Sequence, residues 1–225
     1  MLLRRYYVPR KHNKMLNYVN SMIGCSLLKL ENLEKRIFGI KLISDQIGNL
    51  PYMEHALRKK EEIVADLIEL NAFEINFSNK NFHLQILSRS EDVLRLYAQT
   101  HSLTPELINI LWETRLMDET ACISVYNIIG ECVGGMQKDI INYFVDKVKD
   151  ISPSSMQLRD VELLHTIGHT GLPSSQTPRY CADALWNIVF DQKTGYSKQV
   201  IKVSRKNLCK LLKVFDTNAK VEFIN

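Results

Sequence analysis

The stretch that decides the fold reads LTPELINILW over residues 103–112. Thr104 offers a side-chain oxygen to a helix N-terminus, and Pro105 suits the first helical position, where no backbone N–H is needed. Glu106 is favoured at the same positive end of the helix. Four apolar residues then recur with the period of an amphipathic helix: Leu107, Ile108, Leu111 and Trp112. The stretch therefore predicts a helix with one buried side.

The same pattern continues along the chain and indicates an all-α fold. Thr177 and Pro178 open another helix, whose apolar residues are Cys181, Leu185, Ile188 and Val189. Only residues 72–77 resemble a short strand. The predicted helices cover residues 13–28, 33–48, 59–70, 82–99, 104–117, 118–132, 137–149, 156–169, 178–190 and 197–215.

Short segments of turn-forming residues separate these helices. They lie at residues 48–51, 78–79, 134–135, 152–155 and 171–175. Helices with short connections suit antiparallel neighbours, and pairing them gives a repeat of about 35 to 45 residues, which is the armadillo/HEAT range. We therefore expect an armadillo/HEAT-like helical solenoid of stacked antiparallel helix pairs, with a compact irregular bundle as the alternative.

Composition excludes disordered and fibrous proteins. The chain has 225 residues, of which 45% are hydrophobic and 24% charged, as is usual for globular proteins. A chain of this length buries about 70% of its unfolded surface and needs neither disulfide nor metal to fold. No apolar run reaches the roughly 18 to 20 residues of a membrane span, so we expect a soluble protein that does not contact a membrane.

Cysteine usage predicts a reduced compartment. The five cysteines are an odd number without a CxxC pair, and several lie on apolar helical stripes. We interpret them as reduced core residues of an intracellular, cytoplasmic protein. They are Cys25, Cys122, Cys132, Cys181 and Cys209.

Charge is unevenly distributed although the net charge is only +4. The first acidic residue is Glu31, and six cations precede it. An acid-free, Arg-bearing N-terminus occurs in mitochondrial presequences, but Pro9 and the scarcity of serine favour a solvated basic segment. We divide the chain into a basic N-terminal segment with the first helix (1–30), an armadillo-like helical repeat domain (31–216) and a C-terminal tail (217–225).

Residues that could carry chemistry are few. His165 and His169 have the i, i+4 spacing of a metal site, but Thr166 stands where a zincin has glutamate, and a histidine near a helix end is the commoner reason for the pattern. Gly134-Gly135 lacks the remainder of a phosphate loop and predicts a helix break. The pairs Glu61-Glu62 and Asp118-Glu119 are interpreted as helix starts. No catalytic, cofactor-binding or metal-binding residue is predicted, and no cofactor is expected.

A basic helix near the C-terminus is the clearest surface feature. Its cations are Lys198, Lys202, Arg205, Lys206, Lys210 and Lys213. The opposite apolar stripe is Val200, Val203, Leu208, Leu211, Leu212 and Val214. Such a face binds nucleic acid, binds an acidic protein or is simply solvated. No aromatic residues are interleaved for base stacking, which disfavours nucleic acid.

Several segments occur in an order that is informative about a protein family. They are residues 33–43 (LEKRIFGIKLI), 82–84 (FHL), 91–96 (EDVLRL), 102–112 (SLTPELINILW), 128–129 (II), 144–145 (FV) and 184–187 (ALWN). The series resembles the armadillo-like region upstream of the catalytic domain in very large ubiquitin-specific proteases of the fat-facets type. The resemblance covers most of residues 33–215.

The resemblance implies a segment of a cysteine-type deubiquitinase that is not its active part. Cys25 lies in Ile23-Gly24-Cys25-Ser26 rather than in the family's Asn-Thr-Cys-Tyr context, and no downstream histidine has a suitable setting. The chain is then a fragment of a larger enzyme, which we favour, or a standalone relative that keeps the helical array.

The resulting hypothesis is a non-catalytic protein-interaction scaffold that recruits or positions ubiquitinated substrates. Its partners would be other proteins, and we expect the groove in the exposed residues of helices 137–149 and 197–215. Two alternatives remain open. A helical enzyme would bring His165, His169 and a carboxylate to one cavity. A helical array that binds nucleic acid would align its lysines and arginines in one continuous stripe and would lose affinity steeply as salt rises. The scaffold hypothesis expects scattered cations and a histidine pair that is split or exposed without partners.

Overall fold

A computed structural model describes residues 10–48, 56–78, 83–170, 176–190 and 195–215. These residues form α-helices and contain no β-strand, so the predicted all-α class is confirmed. The helices are α1 (Arg10–Leu28), α2 (Leu33–Gly48), α3 (Ala56–Glu69), α4 (Ala72–Phe77), α5 (Leu84–Leu87), α6 (Glu91–Gln99), α7 (Pro105–Thr114), α8 (Glu119–Cys132), α9 (Lys138–Lys149), α10 (Leu158–Thr170), α11 (Thr177–Phe190) and α12 (Lys198–Val214).

Most predicted helix boundaries agree with the structure because capping residues were readable in the sequence. The Asp118 carboxylate accepts a hydrogen bond from the Ala121 N–H at 2.7 Å and starts α8. Ser197 accepts one from the Val200 N–H at 3.2 Å and starts α12. Helix α2 has the predicted limits, and the predicted break at Gly134-Gly135 is a 3₁₀ turn over Val133–Gly135. The carboxylates of Glu61 and Glu62 lie inside α3 rather than at its start, so that interpretation was wrong.

The strand-like interpretation of residues 72–77 was also wrong, because this segment is helix α4. Its apolar residues are buried on nearly all sides, and periodicity alone does not separate such a short run from a strand. The Phe73 and Phe77 rings are 4.6 Å apart, as one helical turn allows, and Phe73 also lies 5.2 Å from the ring of Tyr97. Asn71 adopts a left-handed conformation with φ of 53° and turns the chain from α3 into α4.

The helix predicted over residues 82–99 is two helices, α5 and α6. Ser88, Arg89 and Ser90 interrupt it, and their side chains bond to backbone carbonyls of the preceding turn. Ser90 Oγ donates to the Ile86 carbonyl at 2.9 Å, and the Arg89 guanidinium donates to the Gln85 carbonyl at 2.8 Å. Local bonds of this kind compete with helix continuation. Helix α7 ends earlier than predicted, at Thr114, because i−3 turn bonds replace helical ones at Leu116 and Met117.

The chain divides into two compact units. The first consists of Met1–Ser102 and Ile110–Ser124, and the second of Leu103–Asn109 and Val125–Asn225. In the first unit, α1 packs along α2, and both helices contact members of the α3–α6 group. In the second, α9 and α10 both contact α11, and α10 and α11 both contact α12.

Glycines allow close helix contacts at two points. In the first unit, a Cβ on Gly39 would lie 2.6 Å from the Gly24 carbonyl oxygen, so α1 and α2 cross almost backbone to backbone. In the second, a Cβ on Gly168 of α10 would lie 2.9 Å from a methyl of Leu211 in α12 and 3.0 Å from the Cβ of Cys181 in α11. Three helices therefore meet at Gly168.

Gly39→Ala is expected to lower the free energy of unfolding by about 1–3 kcal/mol, because the new methyl must displace backbone atoms of α1. Gly48→Ala is the matched control. Nothing lies within 4 Å of a Cβ at Gly48, and alanine is the better helix former by up to about 1 kcal/mol. Urea unfolding followed by circular dichroism compares the two. A Gly39→Ala variant as stable as the parent would contradict the close crossing.

Two serines are completely buried within helices but differ in their bonding. Ser204 Oγ in α12 has no hydrogen-bond partner. Ser21 Oγ in α1 donates to Gln46 Oε1 at 3.1 Å. Because an unsatisfied buried hydroxyl costs about 1–3 kcal/mol, its removal relieves a penalty, whereas removal of a bonded hydroxyl creates one.

Ser204→Ala is therefore expected to raise the free energy of unfolding by about 0.5–1 kcal/mol, and Ser21→Ala to lower it by a similar amount. Both substitutions replace serine by alanine within a helix and so gain the same helix propensity. The difference between their changes in the free energy of unfolding therefore measures the contribution of the two hydroxyl groups. Thermal and urea unfolding of the two variants measure it. Equal shifts for both would show that Ser204 is satisfied in solution.

Candidate partner-binding surface

Two of the five cysteines have thiols that are not activated for catalysis. Cys25, Cys122, Cys132 and Cys181 are buried and form no disulfide, as predicted. Burial raises the pKa of the Cys25 thiol to about 11 and that of Cys181 to about 12. These two thiols therefore stay protonated at neutral pH, which is the opposite of an activated nucleophile. Cys209 is exposed on α12, so its prediction as a core residue was wrong.

The two histidines of α10 lie side by side. The ring centroids of His165 and His169 are 5.7 Å apart in an edge-on arrangement. His165 is half-buried, its Nε2 has no hydrogen-bond partner, and His169 is exposed near the end of the helix. Within the residues that the structure describes, three or more His, Cys, Asp or Glu side chains nowhere gather to hold a metal ion. None of the helices in that part of the chain is long and apolar enough to cross a membrane.

A polar cluster joins α9 and α11 in the second unit. Tyr180 donates its hydroxyl to the carboxylate of Asp146. The Lys149 ammonium donates to Asp146 Oδ1 at 3.0 Å and to the Tyr180 hydroxyl oxygen at 3.1 Å. It also lies 4.5 Å from the centre of the Tyr180 ring, within cation–π range. These three side chains hold the exposed sides of the two helices in register.

A shallow cleft of about 290 Å³ opens beside this cluster. Asn142 of α9 contributes a buried Oδ1 that accepts no hydrogen bond. Asp183 has its pKa raised by partial burial, which the nearby Arg179 and Lys149 oppose. The lining residues are Asn142, Gln176, Arg179, Tyr180 and Asp183. The cleft thus offers donors, acceptors and both charges within a small area.

Aromatic side chains extend this region along α11. The Trp186 and Phe190 rings are 4.1 Å apart, and Phe190 is 55% exposed. Along α9, the Tyr143 hydroxyl donates to Asn109 Oδ1 of α7 at 2.9 Å. We call the α9–α11 surface the set Asn142, Asp146, Lys149, Gln176, Arg179, Tyr180, Asp183, Trp186 and Phe190. Exposed aromatic and arginine side chains beside polar groups are typical of protein-binding surfaces.

The six cations predicted on the last helix are all exposed on α12. We call them the α12 basic stripe: Lys198, Lys202, Arg205, Lys206, Lys210 and Lys213. The buried side of α12 differs in part from the prediction. It contains Val200, Leu208 and Leu211, but also the polar residues Ser204 and Asn207, while Val203 and Leu212 are only half-buried. The side chain of Val214 lies outside the described residues. The cations of α12 are thus aligned rather than scattered, contrary to the expectation of the scaffold hypothesis.

The groove predicted from the sequence overlaps the α9–α11 surface in part, and its role in binding stays a prediction. The predicted groove consisted of exposed residues of helices 137–149 and 197–215, and the first of these is α9. The predicted groove did not include α11, although the polar residues Arg179, Asp183 and Asn187 recur there at i, i+4 and i+8. The hydrogen-bonded pairs Asn109–Tyr143 and Asp146–Tyr180 are both separated by 34 residues, and this equal spacing was also not recognised in the sequence.

No protein-family model matches the sequence, and no curated protein matches it. The fold and the site define an all-α protein with a polar and aromatic surface cleft between two of its helices.

Stability is expected to fall in mild acid because of His165. Burial, Lys210 and His169 lower the pKa of His165 from its ordinary value near 6.5. The folded protein then binds fewer protons than the unfolded chain, so the free energy of unfolding decreases as the pH falls below about 6.5. Urea midpoints at about pH 7.5, 6.5 and 5.5 measure the slope.

His165→Gln is expected to flatten this slope. His169→Gln should retain most of it, because burial is the largest cause of the shift at His165. If His165→Gln loses stability toward acid as steeply as the parent, another group is responsible.

Proposed function

We propose that this protein is a non-catalytic scaffold that binds other proteins through the α9–α11 surface. The observation that carries the proposal is the cleft, in which the buried Oδ1 of Asn142 accepts no bond and lies beside exposed charged and aromatic groups. An acceptor of this kind gains a hydrogen bond when a partner presents an N–H, such as that of a peptide backbone. Exposed Phe190 supplies apolar area at one end of the surface.

The proposed architecture is an armadillo/HEAT-like array of helix pairs. In the second unit α9 contacts α11, and α10 contacts α12, so alternate helices neighbour each other. The hydrogen bonds from Tyr143 to Asn109 and from Tyr180 to Asp146 link α7, α9 and α11 with a constant separation. Alternate-helix contacts with a regular spacing favour stacked repeats over an irregular bundle. In such an array α9 and α11 would belong to one layer of helices, and the α9–α11 surface would lie on that layer.

The proposed partners are ubiquitinated proteins. Support comes from the resemblance of residues 33–215 to the helical region of large ubiquitin-specific proteases. Two of the segments that carry it, 102–112 and 184–187, contribute to α7 and α11. The scaffold would then recruit or position substrates for deubiquitination by a catalytic domain that these residues do not supply. The chain is a segment of such an enzyme or a standalone relative of its helical region.

The proposed location is the cytoplasm. Four of the five cysteines are buried and form no disulfide. Buried free thiols are typical of proteins that fold in reducing compartments.

Combined Arg179→Glu and Phe190→Ser substitutions are expected to weaken binding of purified ubiquitin conjugates by about tenfold or more, because they reverse a charge at the cleft and remove the exposed aromatic side chain at one end of the α9–α11 surface. Combined Lys35→Glu and Phe38→Ser substitutions on α2 are the matched control. Phe38 is 54% exposed and Phe190 is 55% exposed, so the loss of apolar surface is equal. Biolayer interferometry with immobilised conjugates measures both variants.

The control should bind within about twofold of the parent, since scattered surface contacts contribute little. Circular dichroism verifies that both variants retain their helices. Equal weakening of both variants, or binding by neither the parent nor the variants, would contradict the proposed surface.

A further inference from the structure

Helix α12 is unusual in its charge. It spans 17 residues and contains the six cations of the α12 basic stripe without a single Asp or Glu. At 100° per residue these cations fall within an arc of about 140° of the helix circumference, and they span about 22 Å at 1.5 Å per residue. The buried residues Val200, Ser204 and Leu211 lie on the opposite side. The cations therefore form one straight ridge that points into solvent.

The stripe is not neutralised within the described part of the chain. None of its six cations makes an ion pair with another described residue. Cys209, which is also exposed, lies among them, and no aromatic residue occurs on α12. A ridge that lacks an apolar anchor recognises partners through charge. Its complement is a segment with several carboxylates or phosphates.

Three observations favour carboxylates over nucleic-acid phosphates. Five of the six cations are lysines, whereas bidentate phosphate recognition prefers arginine. No aromatic side chain is available on the helix for base stacking. The sequence pI of 8.7 is below the value above about 9 that is typical of nucleic-acid-binding domains.

We propose that the α12 basic stripe binds a short acidic segment of a partner protein. A length of about 22 Å matches about seven residues of extended chain. This proposal rests on the proposed function only in taking the partner to be a protein. The acidic segment would bind the α12 basic stripe, which is separate from the α9–α11 surface.

Cys209 gives a direct test. It is the exposed thiol among five cysteines of which four are buried, so a maleimide fluorophore on the folded full-length chain marks the centre of the stripe. The labelled protein is titrated with a seven-residue poly-glutamate peptide, a poly-glutamine peptide of equal length, and a DNA duplex. Isothermal calorimetry on the unlabelled protein repeats each titration, so that an effect of the label is recognised.

Combined Lys202→Glu, Lys206→Glu and Lys210→Glu substitutions remove the centre of the stripe. Combined Lys29→Glu, Lys35→Glu and Lys41→Glu substitutions, at exposed positions of the first unit, produce the same change in net charge. The poly-glutamate peptide is expected to bind the parent, to bind the stripe variant about tenfold or more weakly, and to bind the control variant nearly as well as the parent. Affinity should fall as salt rises.

Three results would overturn the inference: no binding of poly-glutamate to the parent, equal weakening in both variants, or tighter binding of the duplex than of the acidic peptide. The last would identify the stripe as a nucleic-acid surface. The stripe variant is also tested for binding of ubiquitin conjugates, which the proposed function assigns to Arg179 and Phe190. A stripe variant that still binds conjugates shows that the proposed function holds even if the inference about the stripe fails.

Discussion

The contact of α10, α11 and α12 at Gly168 is the constraint on which both exposed surfaces depend. A Cβ there would lie 2.9 Å from a methyl of Leu211 and 3.0 Å from the Cβ of Cys181, so any side chain would require both neighbours to shift, and the absence of a Cβ lets the three helices pack closely. The approach buries Leu164, Leu185 and Leu211 together with the apolar sides of their helices. The opposite sides of α11 and α12 are thereby turned outward, and they carry the cleft and the basic stripe.

Polar side chains beside the cleft hold α9 against α11. Tyr180, Asp146 and Lys149 bond to each other at the edge of the cleft, while the buried Oδ1 of Asn142 next to them accepts no hydrogen bond. A surface that is held rigid by its own bonds loses less conformational entropy on binding. By contrast, burial raises the pKa of the Cys25 and Cys181 thiols. The chemistry of the described residues therefore suits binding better than thiol catalysis.

The sequence predicted most of the helices because their boundaries carry local signals, such as Asp118 and Ser197 at N-caps. It failed where tertiary packing decides. In the helix over residues 72–77, Phe73 packs against Phe77 and against Tyr97, which is distant in sequence. Residues 88–90 break a helix through side-chain bonds to the backbone. The basic stripe was readable because one helix carries it. Of the two helices that form the cleft, the predicted groove included α9 but not α11. The pattern of a single helix does not indicate which other helix packs beside it.

We propose that this chain binds ubiquitinated proteins without cleaving them. The most direct measurement incubates the purified chain with fluorescent ubiquitin conjugates and follows retention and cleavage together, before and after alkylation of its thiols. We predict that intact conjugates are retained, that no free ubiquitin is released, and that alkylation at exposed Cys209 leaves cleavage at zero. Release of ubiquitin that disappears on alkylation would contradict the account and would require a thiol active site.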